Sequence, residues 1–104
     1  MSVEKPEITF AVLYRWRLVP GSEAVFKDSW AKVTEQLKTR GGRGSRLHKA
    51  EDGTWYAYAQ WPSAKAREEA VAEPSDAELG RGMSESIAER FDEIRLEIVA
   101  DFLD

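Results

Sequence analysis

The sequence has no cysteine, no asparagine and a single histidine among 104 residues. Without cysteine the chain has no disulfide framework, thiol nucleophile, iron–sulfur cluster or cysteine zinc site. One histidine excludes any site that needs two imidazoles from one chain. No apolar run approaches the roughly 18–20 residues of a membrane helix, and the N-terminus lacks the features of a signal peptide. We therefore expect no membrane partner and a cytoplasmic location.

The net charge and the length of the chain exclude further classes of protein. A net charge of −4 argues against nucleic acid as a partner, because phosphate binding needs a concentrated basic surface. The length is typical of one domain, so residues 1–104 are expected to form a single one. Gly42-Arg43-Gly44 and Gly80-Arg81-Gly82 lack the third glycine and the strand-to-helix setting of a dinucleotide loop. The acidic residues show no metal-ligand spacing with the histidine, and we expect neither a metal nor a cofactor.

The hydrophobic pattern predicts alternating strands and helices. Runs rich in β-branched and aromatic residues predict strands at Ile8–Leu18, Ser45–Ala50, Trp55–Trp61 and Arg95–Leu103. Asp52-Gly53 joins the second and third strands and suits a type I′ turn, in which both central residues have positive φ.

Helical spacing and capping residues predict two main helices and a shorter one. The segments are Ser22–Arg40, Ser63–Ala72, and a capping box at Ser75–Glu78, followed by the stripe Met83, Ile87, Phe91 and Ile94. Gly80 and Gly82 predict a break before this stripe. On the solvated face of the short helix, Glu69 or Glu73 is expected to pair with Lys65 or Arg67. The order β-α-β-β-α-β is that of an α+β ferredoxin-like fold, with helices on one face of a four-stranded antiparallel sheet.

The first and third strands, central in that topology, are apolar on both faces. Phe10, Val12, Tyr14 and Trp16 alternate with Ala11 and Leu13. In a sheet with one solvent-exposed face, each strand alternates apolar with polar residues. The helices of one chain cover only one face, which leaves the other apolar face exposed. Because soluble monomers avoid large exposed apolar patches, we expect a homodimer in which two sheets pack face to face. In the alternative, Tyr56 and Tyr58 lie flat with their hydroxyls in water.

Aromatic residues form 11% of the chain and include four tryptophans, more than a small core requires. Several are expected to line one cavity between sheet and helices: Tyr14, Trp16, Trp30, Trp55, Tyr58 and Trp61. Such a cavity suits a flat aromatic ligand, and core packing is the alternative for each residue. His48 shares a strand face with Arg46. Its imidazole is a candidate acid or base, with a satisfied surface histidine as the other interpretation.

Several segments resemble the antibiotic biosynthesis monooxygenase family. They are Phe10–Arg17 with Pro20-Gly21-Ser22-Glu23, Phe26 and Trp30, the Arg46–Trp61 hairpin, and Gln60-Trp61-Pro62-Ser63. The resemblance implies a dimeric α/β barrel of two ferredoxin-like units. It also implies oxidation of a phenol, quinol or polycyclic aromatic compound by dioxygen, without flavin, metal or haem. Trp61 would then position the ring, Arg46 would stabilise oxyanion charge, and His48 would act as acid and base.

The chain differs from the family in having no asparagine, and in Gln60 where many members carry a carboxylate. Ala70 or Glu69 stands where many carry a histidine. Of the asparagine, tryptophan and histidine that haem-degrading relatives need, only Trp61 could be matched here. Two functions without catalysis stay open. One is a module that binds a small aromatic compound. The other is an interaction protein whose cavity is filled by its own tryptophan and tyrosine side chains.

Overall fold

A computed structural model describes residues 7–74 and 77–103. The elements are β1 (Phe10–Leu18), α1 (Glu23–Lys38), β2 (Ser45–Lys49), β3 (Trp55–Trp61), α2 (Ala64–Ala72), α3 (Ala77–Glu85), β4 (Ile87–Arg90) and β5 (Ile94–Glu97). Within these ranges no helix is both long enough and apolar enough to cross a membrane. The predicted capping box at Ser75–Glu78 includes positions outside the described residues.

The sheet is antiparallel, and its strand order is β2-β3-β1-β4, with β5 also paired to β1. β1 and β3 are therefore central, as the sequence predicts, and the α+β ferredoxin-like fold is confirmed. β5 pairs with Phe10–Leu13 and β4 with Trp16–Leu18. β3 pairs with one edge of β1. Both β4 and β5 pair with the opposite edge, and together they take the place of the fourth strand. This strand is interrupted at residues 91–93.

The break predicted at Gly80 and Gly82 is wrong, because α3 continues through both glycines to Glu85. The helix predicted along Met83, Ile87, Phe91 and Ile94 is wrong beyond Glu85. The Ser86 hydroxyl donates to the Gly82 carbonyl at 2.7 Å, and the chain then turns into β4. A spacing of four residues fits the two-residue repeat of a strand as well as a helical turn, so Ile87 and Phe91 could not separate the two. The predicted last strand, Arg95–Leu103, is also too long, because β5 ends at Glu97.

The hairpin between β2 and β3 forms as predicted, but its turn is not type I′. The Gly53 N–H donates to the Ala50 carbonyl at 3.0 Å, and of the residues in this turn only Gly53 has positive φ, at 88°. Asp52 instead uses its carboxylate to accept from the Thr54 N–H at 2.9 Å. This bond stabilises the loop locally and lowers the pKa of Asp52.

The core lies between the helices and one face of the sheet. Phe26 of α1 packs edge-on against Trp16 and Trp55, with ring centroids 5.2 and 6.0 Å apart. Ala70 of α2 packs with Val12 and Trp61. These contacts place α1 and α2 on the same face of β1 and β3.

The opposite side of the sheet, called the open face below, carries the alternate residues of the same strands. The register brings Leu13 opposite both Tyr58 and Ile94, and Ala11 opposite Leu96. Ile94 is 39% exposed, and beyond β5 the apolar side chains of Val99 and Phe102 are 86% and 97% exposed. The chain thus presents apolar groups on both sides of its central strands.

Candidate functional site

A pocket of about 190 Å³ lies between α1 and the helix-covered face of the sheet. Its wall contains four of the aromatic residues that the sequence singles out: Tyr14, Trp16, Trp30 and Trp61. Ala57 and Ala59 on β3 also line it. Because these two side chains are small, the space between β3 and α1 stays open.

The aromatic wall is built by strand geometry. Tyr14 and Trp16 are alternate residues of β1, so both rings face the helices, and they lie parallel with centroids 5.7 Å apart. Trp61 ends β3 and is 2% exposed. Its indole N–H finds no hydrogen-bond partner in the described part of the chain. The wall thus consists of two stacked rings and a fixed indole.

The charged residues that line the pocket are both cationic, Lys38 and Arg90. No carboxylate or imidazole is found in its lining, as far as the described residues show, although the chain as a whole carries a net charge of −4. Both residues are exposed to solvent, and Lys38 Nζ lies 3.5 Å from the Glu35 carboxylate, so solvent and this ion pair weaken the attraction of these cations for negative charge. The pocket is therefore an aromatic space whose lining includes two exposed cations.

A buried arginine lies behind Tyr14. Arg67 of α2 is 8% exposed, and its Nη2 donates to the Tyr14 hydroxyl at 3.0 Å and to Glu93 Oε1 at 2.9 Å. Burial opposes the charged form of Arg67, but the bonds to Glu93 and Tyr14 outweigh it and raise its pKa. Burial likewise opposes ionisation of Glu93, and the Arg67 guanidinium overcomes this and lowers the pKa of Glu93. Both partners are therefore charged at neutral pH.

Neither a family model nor a curated protein sequence matches this chain. Its structure is nevertheless similar to solved ones. SnoaB of Streptomyces nogalater, a cofactor-independent oxygenase, superposes with a TM-score of 0.76 at 14% identity, over 93% of this chain and 99% of that one. A provisionally named antibiotic biosynthesis monooxygenase of Bordetella bronchiseptica gives 0.75 at 18% identity, over 90% and 100%. The chain has the fold of the antibiotic biosynthesis monooxygenases.

A protein of unknown function from Nitrosomonas europaea shares this monooxygenase fold, with a TM-score of 0.72 at 17% identity over 96% of this chain and 98% of that one. At such identities the likeness establishes the architecture. The resemblance drawn from the sequence is thereby confirmed at the level of the fold.

Within the monooxygenase fold, four predicted site residues do not line the pocket: Arg46, His48, Trp55 and Tyr58. The register places Arg46 opposite Tyr58 and His48 opposite Tyr56, on the open face. Trp55 packs in the core beside Phe26. A wider groove of about 440 Å³ along the outer edge of β2 is bordered by Arg46, His48 and Trp55 together with Lys27 and Lys49. The roles predicted for these residues stay predictions.

Sequence reasoning did not assign Arg67, Glu93, Lys38 or Arg90 to the site. The expected pairing on the face of α2 is wrong, because Arg67 bonds Glu93 and Glu73 bonds Arg40 at 3.0 Å. One signal was available. Arg67 precedes the buried Ala70 by three residues, so the two share a face of the helix. Glu93 gave no such signal, because it lies in the interruption between β4 and β5.

Proposed function

We propose that this protein is a cofactor-independent monooxygenase that oxidises a phenol, quinol or polycyclic aromatic compound with dioxygen. The observation that carries the proposal is a pocket with aromatic walls whose charged lining residues are cations only, in the described part of the chain. The fold shared with an oxygenase that needs no cofactor supports it. In this proposal the planar ring of the substrate lies against Trp61 and the stacked pair of Tyr14 and Trp16, with Trp30 closing the wall from α1.

The chemistry requires an electron-rich substrate anion. A phenol loses its O–H proton to solvent, and the carbon para to the oxygen then delivers electrons to dioxygen and forms a C–O bond to a hydroperoxide. Loss of the remaining hydrogen at that carbon, with cleavage of the O–O bond, releases water and leaves the quinone. One phenol and one dioxygen thus give one quinone and one water, with four electrons passing to dioxygen.

The side chains around the pocket have definite tasks in this reaction. Lys38 and Arg90 stabilise the negative oxygen, which is the electrostatic part of the catalysis. The aromatic walls hold the ring and keep bulk water from the anion. The roles predicted for Arg46 and His48 would have to be exerted from the open face or the β2 groove, so we assign oxyanion stabilisation to the cations of the pocket.

A binding module without catalysis is the second candidate, and one observation favours it. In the lining that the structure describes there is no carboxylate or imidazole to accept the phenolic proton. Such a module would hold an aromatic anion in the same place and return it unchanged. The third alternative, a cavity filled by the chain's own side chains, fits less well with about 190 Å³ of open space.

Oxygen consumption separates the first two candidates. A naphthol and an anthrone are each incubated with the protein in an oxygen electrode, beside a blank without protein, because both compounds autoxidise. We expect oxygen uptake above the blank, equal to the carbonyl product formed, without accumulation of peroxide. Trp61→Phe, which removes the fixed indole, is expected to reduce the rate at least about tenfold, the effect of roughly 1.4 kcal/mol on the barrier.

The control is Tyr56→Phe, a substitution of another aromatic residue by phenylalanine on the open face, which should leave the rate unchanged. Quenching of tryptophan fluorescence by the compounds without oxygen uptake would instead establish the binding module. Absence of both quenching and uptake would overturn both proposals.

We also propose that two copies pair through the open face, which would complete the dimeric α/β barrel. This proposal is supported by the apolar residues on that face and by the half-buried Tyr56 and Tyr58. The pocket lies on the other side of the sheet, between it and the helices. Pairing would therefore leave one pocket available in each copy.

A further inference from the structure

We propose that the Tyr14 hydroxyl donates a hydrogen bond to the ionised oxygen of the bound phenol, and that Arg67 holds this hydroxyl in place. Tyr14 would then be a substrate-binding residue and Arg67 a positioning residue. The inference rests on the proposed function, because it concerns the same pocket and the same class of ligand.

The hydrogen bonds around Tyr14 determine which way its proton is free to point. The ring lines the pocket, and the hydroxyl oxygen accepts from Arg67 Nη2 at 3.0 Å. Arginine has no acceptor atom, so the tyrosine proton cannot be donated to it. Among the residues that the structure describes, no acceptor for that proton is found. The proton is therefore free to be donated to a ligand oxygen that comes within reach of the hydroxyl.

Arg67 is held through one nitrogen, since its buried Nε has no partner in the described part of the chain. Its Nη2 is shared between the Tyr14 hydroxyl and Glu93, and its side chain is 9% exposed. Arginine's planar fork fixes the direction of such bonds better than a lysine would. A charged donor to the hydroxyl oxygen also polarises the O–H bond and strengthens the bond that Tyr14 makes in turn. Tyr14 is thus a stronger donor than an isolated tyrosine.

This arrangement discriminates between the two protonation states of a bound phenol. A hydrogen bond to a charged acceptor is stronger than one to a neutral acceptor. The Tyr14 bond therefore favours the phenolate, the form that reacts with dioxygen, and it lowers the pKa of the bound phenol. The other charged groups near the pocket or Arg67 are Lys38, Arg90, Glu93 and Arg95.

The test is a titration of bound naphthol without oxygen, because naphthol and naphtholate differ in absorbance. In Tyr14→Phe the ring and its stacking remain and the hydroxyl is lost. The ratio of the affinities for naphtholate and naphthol should be about tenfold to hundredfold greater in the wild-type protein than in this variant. This is the size of effect expected for a hydrogen bond to a charged group. Tyr56→Phe, the matched change on the open face, should leave the selectivity unchanged.

The positioning role of Arg67 is tested by two variants with opposite effects. Arg67→Met removes the bond to Tyr14 and should reduce the selectivity for naphtholate. Glu93→Gln keeps an acceptor for Arg67 but removes the negative charge that offsets it, so it should increase the selectivity. A purely structural role would not move the two variants in opposite directions. Glu93→Gln is a conservative change, which keeps the test valid if Arg67→Met does not fold.

Two results would overturn the inference in distinguishable ways. If naphthol ionises at the same pH in wild-type protein and in Tyr14→Phe, the inference is wrong, and oxygen uptake by the wild-type protein would leave the proposed function standing. If naphthol and anthrone do not bind to the wild-type protein, the proposed function fails and the inference with it.

Discussion

Arg67 pairs with Glu93 and also bonds the Tyr14 hydroxyl, so one side chain contributes to the stability of the fold and to the position of a pocket residue. The Glu93 carboxylate lies in the interruption of the fourth strand. Side chains there need not alternate between the two faces of the sheet, and the carboxylate accepts a hydrogen bond from Arg67 of α2. A buried arginine without this partner would carry an uncompensated charge. The pair therefore joins α2 to the sheet edge and holds Tyr14 at the same time.

A dependence of stability on pH follows from this pair. The pKa of Glu93 is lowered in the folded chain from its usual value of 4.5, so the unfolded chain binds a proton more readily at that carboxylate. Its contribution to stability is complete above that value and is lost as pH falls through the lower, folded pKa. Urea unfolding at pH 7 and pH 3 should show a smaller loss in Glu93→Gln than in wild type. An equal loss in both would contradict the assignment.

Arg67 also marks a limit of prediction at the level of residues. In an alanine-rich helix such as α2, periodicity does not tell which polar side chain is buried, because no large apolar residues define the stripe. The long-range partner Glu93 is 26 residues away and depends on where the fourth strand breaks. The aromatic wall was predictable, by contrast, since Tyr14 and Trp16 follow from strand alternation alone.

At the scale of elements, α1 and α3 approach so closely that glycine is required at one position. A Cβ on Gly82 would lie 2.3 Å from Ser29 Oγ and 3.3 Å from Val25 Cγ1. Ser29 is buried, and both contacts come from α1. Gly80, two residues earlier in α3, has open space where the methyl group of an alanine would lie. Gly80 and Gly82 therefore allow the packing of α1 against α3 to be tested by two substitutions in the same helix.

Gly82→Ala should destabilise the chain by about 1–3 kcal/mol, the usual cost of overpacking, while Gly80→Ala should stabilise it by up to about 1 kcal/mol through helix propensity. Both are measured by urea unfolding. Ser29→Ala in the Gly82→Ala background should restore part of the loss, because it removes the nearest clashing atom. Equal effects at the two glycines would mean that α1 and α3 do not pack in this way.

The β4–β5 region was the least predictable element. Its apolar residues fit a helix or a strand by spacing, and only pairing with β1 decides between them. That pairing is long-range, since Ile94 lies opposite Leu13. The hairpin of β2 and β3 was predictable because its signal is local. The exact turn was not, since the side chain of Asp52 competes with the geometry that a type I′ turn requires.

At the scale of the whole molecule, the open face predicts association. Sedimentation should give twice the mass of one chain. Ile94→Lys places a charge at an apolar position of that face that is 39% exposed, so it should dissociate the dimer while leaving the fold intact. Val71→Lys, a similar change on α2 at a position 48% exposed, should stay dimeric. A monomeric wild-type protein would overturn the pairing proposal.

The interrupted fourth strand has a consequence for how copies can add to one another. A long, regular outer strand is a template on which further chains can form hydrogen bonds without end. Here that edge is split into two strands of 4 residues each, and their exposed side chains include Glu89, Arg90, Arg95 and Glu97. Growth of a fibril along this edge is thereby discouraged. The proposed pairing of open faces, by contrast, ends at two copies.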